Sequence, residues 1–230
     1  RDRYRHQQHF QQIRNPKLKI VSFFLTQASS ETKLFISLGF NFHYMDKRLF
    51  LIDGHALIFK MYYAFLRHPM INSKGADMSI LFGFTKYILE LIEKEKPTHL
   101  AIAFDPPGGT FRHEMYPEYK GTRQETPQLI IDSLEPLCEL CRAMRFPVLM
   151  VKGFEADDVI GSMAKRAEKE GFDVFMVTPD KDYGQLISDR IIQYKPGKSG
   201  SDNELIDKAK ICEKYGISRP EQVIEILTVC

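Results

Sequence analysis

Gly153-Phe154-Glu155-Ala156-Asp157-Asp158 sets three carboxylates within four positions, where an apolar run ends and a helical pattern begins. Carboxylates this close repel one another unless they share a cation or each finds its own donor. Taken alone, capping is the commoner use: acids in a first helical turn accept hydrogen bonds from free amides and suit the helix dipole. Acids also close three other apolar runs, as Asp53, as Asp105 and as the pair Asp180 and Asp182. Capping accounts for each cluster separately but gives no reason for four runs to end alike. Oxygen donors without a His or Cys cluster suit Mg2+ or Mn2+ better than Zn2+. Two such ions support phosphodiester hydrolysis, one activating water and both stabilising charge on the in-line transition state.

That chemistry requires elements that bring Asp53, Asp105, Glu155, Asp157, Asp158, Asp180 and Asp182 together. Short apolar runs over 48–52, 98–104, 147–151, 172–177 and 190–194 read as strands. Between them, 77–95 is a helical segment with Met78, Leu81, Phe82, Ile88, Leu89 and Ile92 expected on its apolar face. A second helix runs to about Met144 and is expected to kink or restart at Pro136. A third follows Asp158, burying Val159, Ile160, Met163, Ala164 and Ala167, with Gly171 as its cap. Beyond a polar loop at 195–203, helices are expected around 206–215 and 220–229. Strands alternating with helices imply an α/β fold, a mostly parallel sheet with helices on both faces. In such a sheet the C-terminal strand ends share one edge, where these folds place their sites.

The stretch from Phe111 to Gln128 has few aliphatic residues and reads as an exposed excursion. It carries Arg112, Lys120 and Arg123 as cations for a phosphate backbone, and Tyr116 and Tyr119 as rings on which bases stack. A solvated loop is the plainer account of such a stretch; its position beside the acids favours the nucleic-acid reading. No G-x-G-x-x-G follows the first strand, no phosphate-cradling G-x-x-x-x-G-K-[ST] occurs, and His113-Glu114 lacks the second His of a zinc-protease motif.

The 230 residues are 43% hydrophobic and 27% charged, enough for a sizeable core. With a net charge of only +2, attraction to nucleic acid has to come from local patches. The 4 Cys show no disulfide framework, which suits a reducing cytosol, and Cys138 and Cys141 read as buried helix residues. No apolar run reaches the roughly 20 residues that span a bilayer, so no membrane association is expected. Residues 1–44, rich in Arg, Gln and His at their start, show no sustained periodicity; the first Met is Met45. They read as a basic extension foreign to the domain rather than as a nucleic-acid-binding arm, with the folded domain expected over 45–230.

Together, LFLIDGHALI, AFDPPGGTFRHEMYPEYKGTR, GFEADDVIGSMAKRAEKEG and TPDKDYGQLISD resemble the 5'-nuclease (5'-3' exonuclease) domain of bacterial DNA polymerase I, of the flap endonuclease family. The resemblance runs from Met45 to Cys230 and implies a resolvase-like core. It implies a monomer with Mg2+-dependent 5'-3' exonuclease and 5'-flap endonuclease activity, acting on DNA 5' ends, flaps and nicks and on RNA primers in replication and repair. It makes the seven acids named above the ligands of two metal ions, and Tyr119, Lys120, Arg123 and Arg112 part of a helical arch or clamp, with Lys120 at the scissile phosphate. The family continues into a G-D-x-x-D-N segment and a helix-hairpin-helix, which this sequence stops short of, so the chain reads as truncated, from either a longer polymerase or a stand-alone nuclease. A related RNA-processing nuclease, or a silent fragment that binds metal or DNA without cutting, are the alternatives.

Overall fold

The computed structural model describes residues 47–121, 125–197 and 202–229. The extension read over 1–44 and the candidate Arg123 lie outside them.

Strand β1 (Arg48–Asp53) is buried on both faces and forms the middle of the sheet. It pairs in parallel with β2 (His99–Ala103) on one side and β4 (Asp173–Val177) on the other. The two-residue β3 (Val148–Leu149) extends the sheet beyond β2, and β5 (Ile191–Lys195) lies parallel to β4. The order is β3-β2-β1-β4-β5-β6, with β6 (Glu204–Ile206) antiparallel to β5. The chain fills the β2 side first and then crosses to β4, so the direction of winding reverses at β1. A crevice opens at such a switch point, outside the carboxyl ends of the strands.

Side chains alternate across the strands. Phe50, Ile52, Ile102, Phe104, Phe175 and Val177 join the core beneath helices α1 (Gly54–Phe65), α2 (Ser79–Glu95) and α4 (Gln128–Ala143). The alternate set, Leu49, Leu51, Val174 and Met176, is buried towards α5 (Ala156–Lys169), which packs on β1 and β4. On α5 the five expected residues, Val159, Ile160, Met163, Ala164 and Ala167, are all buried.

Several sequence expectations need correction. Helix α1 is not anticipated by the sequence pattern: Asp53-Gly54 marks the end of β1, but the apolar residues of GHALIFKMYYAF that follow form no narrow stripe. The buried face of α2 is Ile80, Phe84, Ile88 and Leu91, whereas Phe82 and Leu89 are about half exposed. Helix α4 runs through Pro136 without restarting, its buried side held by Leu137, Cys138 and Cys141. The segment at Ile206 closes β6 before helix α6 (Lys208–Tyr215) begins. After a 3-10 turn at Pro220–Gln222, the described chain ends in α7 (Val223–Val229). The stretch after Asp105 is not uniformly exposed, since it contains the short helix α3 (Phe111–Met115), whose Arg112 is buried.

Candidate active site

Asp53 ends β1 and caps α1, its Oδ1 accepting from the Ala56 amide at 3.0 Å. The turn is sharp because the next residue is Gly54: a Cβ there would overlap the Phe104 ring and stand 2.8 Å from the Ala103 carbonyl oxygen. This close approach sets the end of β1 against the end of β2, where Asp105 lies. The Asp105 amide donates to His55 Nδ1 at 3.0 Å, and Asp105 Oδ1 accepts from the Ala156 amide at 2.7 Å. Asp105 thus caps the helix that carries Asp157 and Asp158. Gly153, at φ +85, turns the chain from β3 into that helix, and its carbonyl accepts from the Phe111 amide at 3.0 Å.

The basic segment folds back over this start of α5. Arg112 donates from Nη1 and Nη2 to the two oxygens of Asp158 at 2.7 and 2.8 Å, and its Nη1 lies 3.5 Å from Glu155. Lys120 Nζ reaches Glu155 Oε1 at 2.7 Å, and the Tyr119 hydroxyl donates to Oε2 at 3.2 Å. Burial opposes the charge of Arg112, but the hydrogen bonds and the charge of Asp158 outweigh it and hold the guanidinium protonated. Burial, followed by the negative charge of Glu155, raises the Tyr119 phenol.

Asp157 and Asp53 carry their charge less easily. Burial, then the charges of Asp158 and Glu155 against the opposing Arg112, pushes the Asp157 carboxyl up to about 7. Asp53 is raised chiefly by burial, with repulsion from Asp105 adding to it. Its Oδ2 accepts from Thr178 Oγ1 at 3.1 Å and from the Tyr183 hydroxyl at 3.4 Å. Thr178 Oγ1 accepts from the Asp180 amide, and Gln193 Nε2 donates to the carbonyls of Thr178 and Asp180, at 3.1 and 2.7 Å. These bonds hold the turn at the end of β4. Asp180 and Asp182 themselves are exposed, Asp180 accepting from the Asp182 amide at 3.0 Å.

The structure therefore links Asp53 with Thr178 and the Asp180 turn, Asp105 with the first turn of α5, and Arg112, Tyr119 and Lys120 with Glu155 and Asp158. Among the described residues no group of three or more His, Cys, Asp or Glu side chains is drawn tightly enough to hold a metal ion. Two of the acids are instead neutralised from within, by Arg112 and Lys120. The donors are hard oxygens that suit a divalent cation, and such an ion would offset the burial and the neighbouring negative charge that make Asp53 and Asp157 costly to ionise. Tyr116 is 56% exposed, while Tyr119 is half-buried with its hydroxyl engaged. The site also includes His55, Thr178, Tyr183 and Gln193, none of which the sequence motifs single out. Thr178 stands within the TPDKD run and Gln193 is a polar residue on a buried strand, and both features were available as signals.

A parallel sheet whose carboxyl edge gathers acids at the winding reversal defines a class, and comparison with known proteins names it. Residues 48–216 match the model of the 5'-3' exonuclease N-terminal resolvase-like domain. The chain belongs to that family. Among its relatives are DNA polymerase I of Bacillus caldotenax, 39% identical over 79% of this chain, and of Bacillus subtilis, 38% identical over 78%. The polymerase of Deinococcus radiodurans is 40% identical over 74% of this chain. The chain spans only about a fifth of the length of these relatives (20%, 20% and 17%). The T5 D15 protein co-crystallised with metal ions shares the fold, with a TM-score of 0.61 at 21% identity over 76% of this chain and 63% of that one.

Proposed function

We propose that this chain is a divalent-metal-dependent nuclease that hydrolyses DNA from 5' ends and at 5' flaps or nicks in replication and repair. The observation that carries this reading is the 2.7 Å contact between Lys120 and Glu155, an ammonium group against the carboxylate edge where a phosphate would need one. Family membership supports it. A variant of the bacteriophage T5 flap endonuclease, which shares the fold at 22% identity, has been crystallised with DNA and metal ions, and the proposal extends those ligands to this chain.

In this reading Asp53, Asp105, Glu155, Asp157, Asp180 and Asp182 would hold two Mg2+ or Mn2+ ions. Bound there, the ions supply an activated water and charge stabilisation for in-line displacement at phosphorus. Thr178 and Tyr183 orient Asp53 by donating to its outer oxygen. Lys120 offers its ammonium to the scissile phosphate, Arg123 is a further candidate cation by sequence, and Tyr116 offers a ring to a base of the 5' strand. Asp158, with both oxygens on Arg112, anchors the basic segment, and Tyr119 braces Glu155. RNA primers paired to DNA fall within the same substrate class, and the working form is a cytosolic monomer, joined to a polymerase where the parent chain is longer.

A labelled 5'-flap DNA tests the reading. Cleavage near the junction is expected with Mg2+, absent with chelator and about 100-fold slower in Asp157→Asn, a loss in the range of removing one catalytic electrostatic group. Undiminished cleavage by Asp157→Asn overturns it. Cleavage of single-stranded RNA alone would transfer the chain to RNA processing, and metal binding without any cleavage would make it a binding module.

A further inference from the structure

The buried carboxylate of Glu155 is surrounded by donors from its own chain. Lys120 Nζ stands 2.7 Å from Oε1, while the Tyr119 hydroxyl and Arg112 Nη1 lie 3.2 and 3.5 Å from Oε2. The two cations are held very differently. Arg112 is buried, bidentate to Asp158, and lies 4.7 Å from the centre of the Phe111 ring and 5.9 Å from that of Tyr119. A planar fork bound at both prongs and packed between rings is a fixed part of the fold. Among the described residues Lys120 makes a single ion pair, at the end of a flexible stem whose Nζ also lies 5.3 Å from the centre of the Tyr119 ring, with 27% of its side chain exposed. Its backbone sits at φ +60, a conformation that L-residues with a side chain seldom adopt and hold only where the surroundings enforce it.

We propose that Lys120 is the internal counter-ion of this site: it neutralises Glu155 while the site is free of metal and is expelled by the incoming ion. This rests on the metal reading above and adds a coupling to it. A buried carboxylate must be compensated by something, and a divalent ion at Glu155 would bring like charge against Nζ. Of the two cations, only Lys120 can leave for solvent without breaking the fold. Its release turns the ammonium, previously spent on Glu155, towards the phosphate of a bound strand. Metal entry and presentation of the lysine to substrate become one event, and the metal-free chain is kept from holding nucleic acid productively. The arrangement also lowers metal affinity, since each ion entering at Glu155 must first displace a cation already there.

Calorimetric Mg2+ titration of the 230-residue chain without DNA tests this, comparing wild type with Lys120→Ala and Lys120→Gln. Removing the lysine is expected to tighten Mg2+ binding about twofold to fivefold, the scale of one partly exposed ion pair, even as flap cleavage slows. Thermal unfolding provides a second readout: Lys120→Ala should melt earlier than wild type in chelator and together with it in saturating Mg2+. Lys120→Gln, which keeps the stem and a hydrogen-bond donor, serves if the Ala variant folds poorly. Unchanged or weaker Mg2+ binding in a folded Lys120 variant overturns the proposal. If wild type itself binds no Mg2+, or Asp157→Asn binds it as wild type does, the metal reading fails and takes the counter-ion with it.

Discussion

The guanidinium of Arg112 meets the two oxygens of Asp158 at 2.7 and 2.8 Å, joining the start of α3 to the start of α5 across 46 positions of sequence. This buried pair positions the basic segment over the carboxylate edge. Removing one partner leaves the other charged and buried, which typically costs about 3–5 kcal/mol. Arg112→Ala should therefore lower the stability of the chain by that order, read as a shift of the urea midpoint. Arg112→Lys, unable to fork, should recover less than half of the loss.

Without metal, the stability of the chain should rise as pH falls from 7 towards 4. Burial and neighbouring carboxylates move Asp157 from 3.8 to about 7 in the folded state, and Asp53 shifts in the same direction. A raised folded pKa means that the folded chain holds the proton where the unfolded chain has released it. The penalty is therefore full above about pH 7 and absent below the unfolded value of roughly 4. After solvent screening a gain of about 1–2 kcal/mol is expected. Urea midpoints across this window in chelator should show that slope, and saturating Mg2+ should flatten it.

Thr178→Val removes the hydroxyl that donates to Asp53 Oδ2 and accepts from the Asp180 amide. The shape is nearly preserved and the two bonds are lost. Flap cleavage should fall about tenfold through looser Mg2+ binding, with stability reduced by about 1–2 kcal/mol. Raising Mg2+ should restore much of the rate; a loss insensitive to Mg2+ would show that Thr178 acts elsewhere.

Gly54→Ala should behave as a packing defect that reaches the site. The added methyl meets the Phe104 ring and the Ala103 carbonyl, neither of which can retreat from the core. A loss of about 1–3 kcal/mol is expected by thermal melting. Cleavage should suffer more than the melting point implies, because Asp53 precedes the displaced residue.

Much of the site was readable because parallel strands impose a rule. Acids that follow successive apolar runs must share an edge if the runs form one parallel sheet, so the pattern alone groups Asp53, Asp105, Glu155 and Asp180. Helix α5 was equally plain, the five residues expected on its core face falling at helical spacing between an acidic start and Gly171, all of them buried. Elements without a local signature were missed: α1 lacks a narrow apolar stripe, and β6 is three residues of edge strand set by its pairing with β5. The face of α2 shifted from Phe82 and Leu89 to Phe84 and Leu91 because a broad apolar stripe does not itself say which part meets the sheet.

The sequence by itself determined the chemical types at the strand ends, the strand-helix alternation that makes the sheet mostly parallel, and the nearness of Arg112 and Lys120 to Asp105 along the chain. Only the tertiary structure decided how those charges are used. Arg112 read as an exposed cation for phosphate, yet it is buried on Asp158, and Lys120 rests on Glu155. Asp53 takes its bonds from Thr178 and Tyr183, 125 and 130 positions away. The reason is physical: residue type sets the sign of a charge, but its desolvation and its partner depend on which distant segments the folded chain brings within about 3 Å, and no local pattern records that.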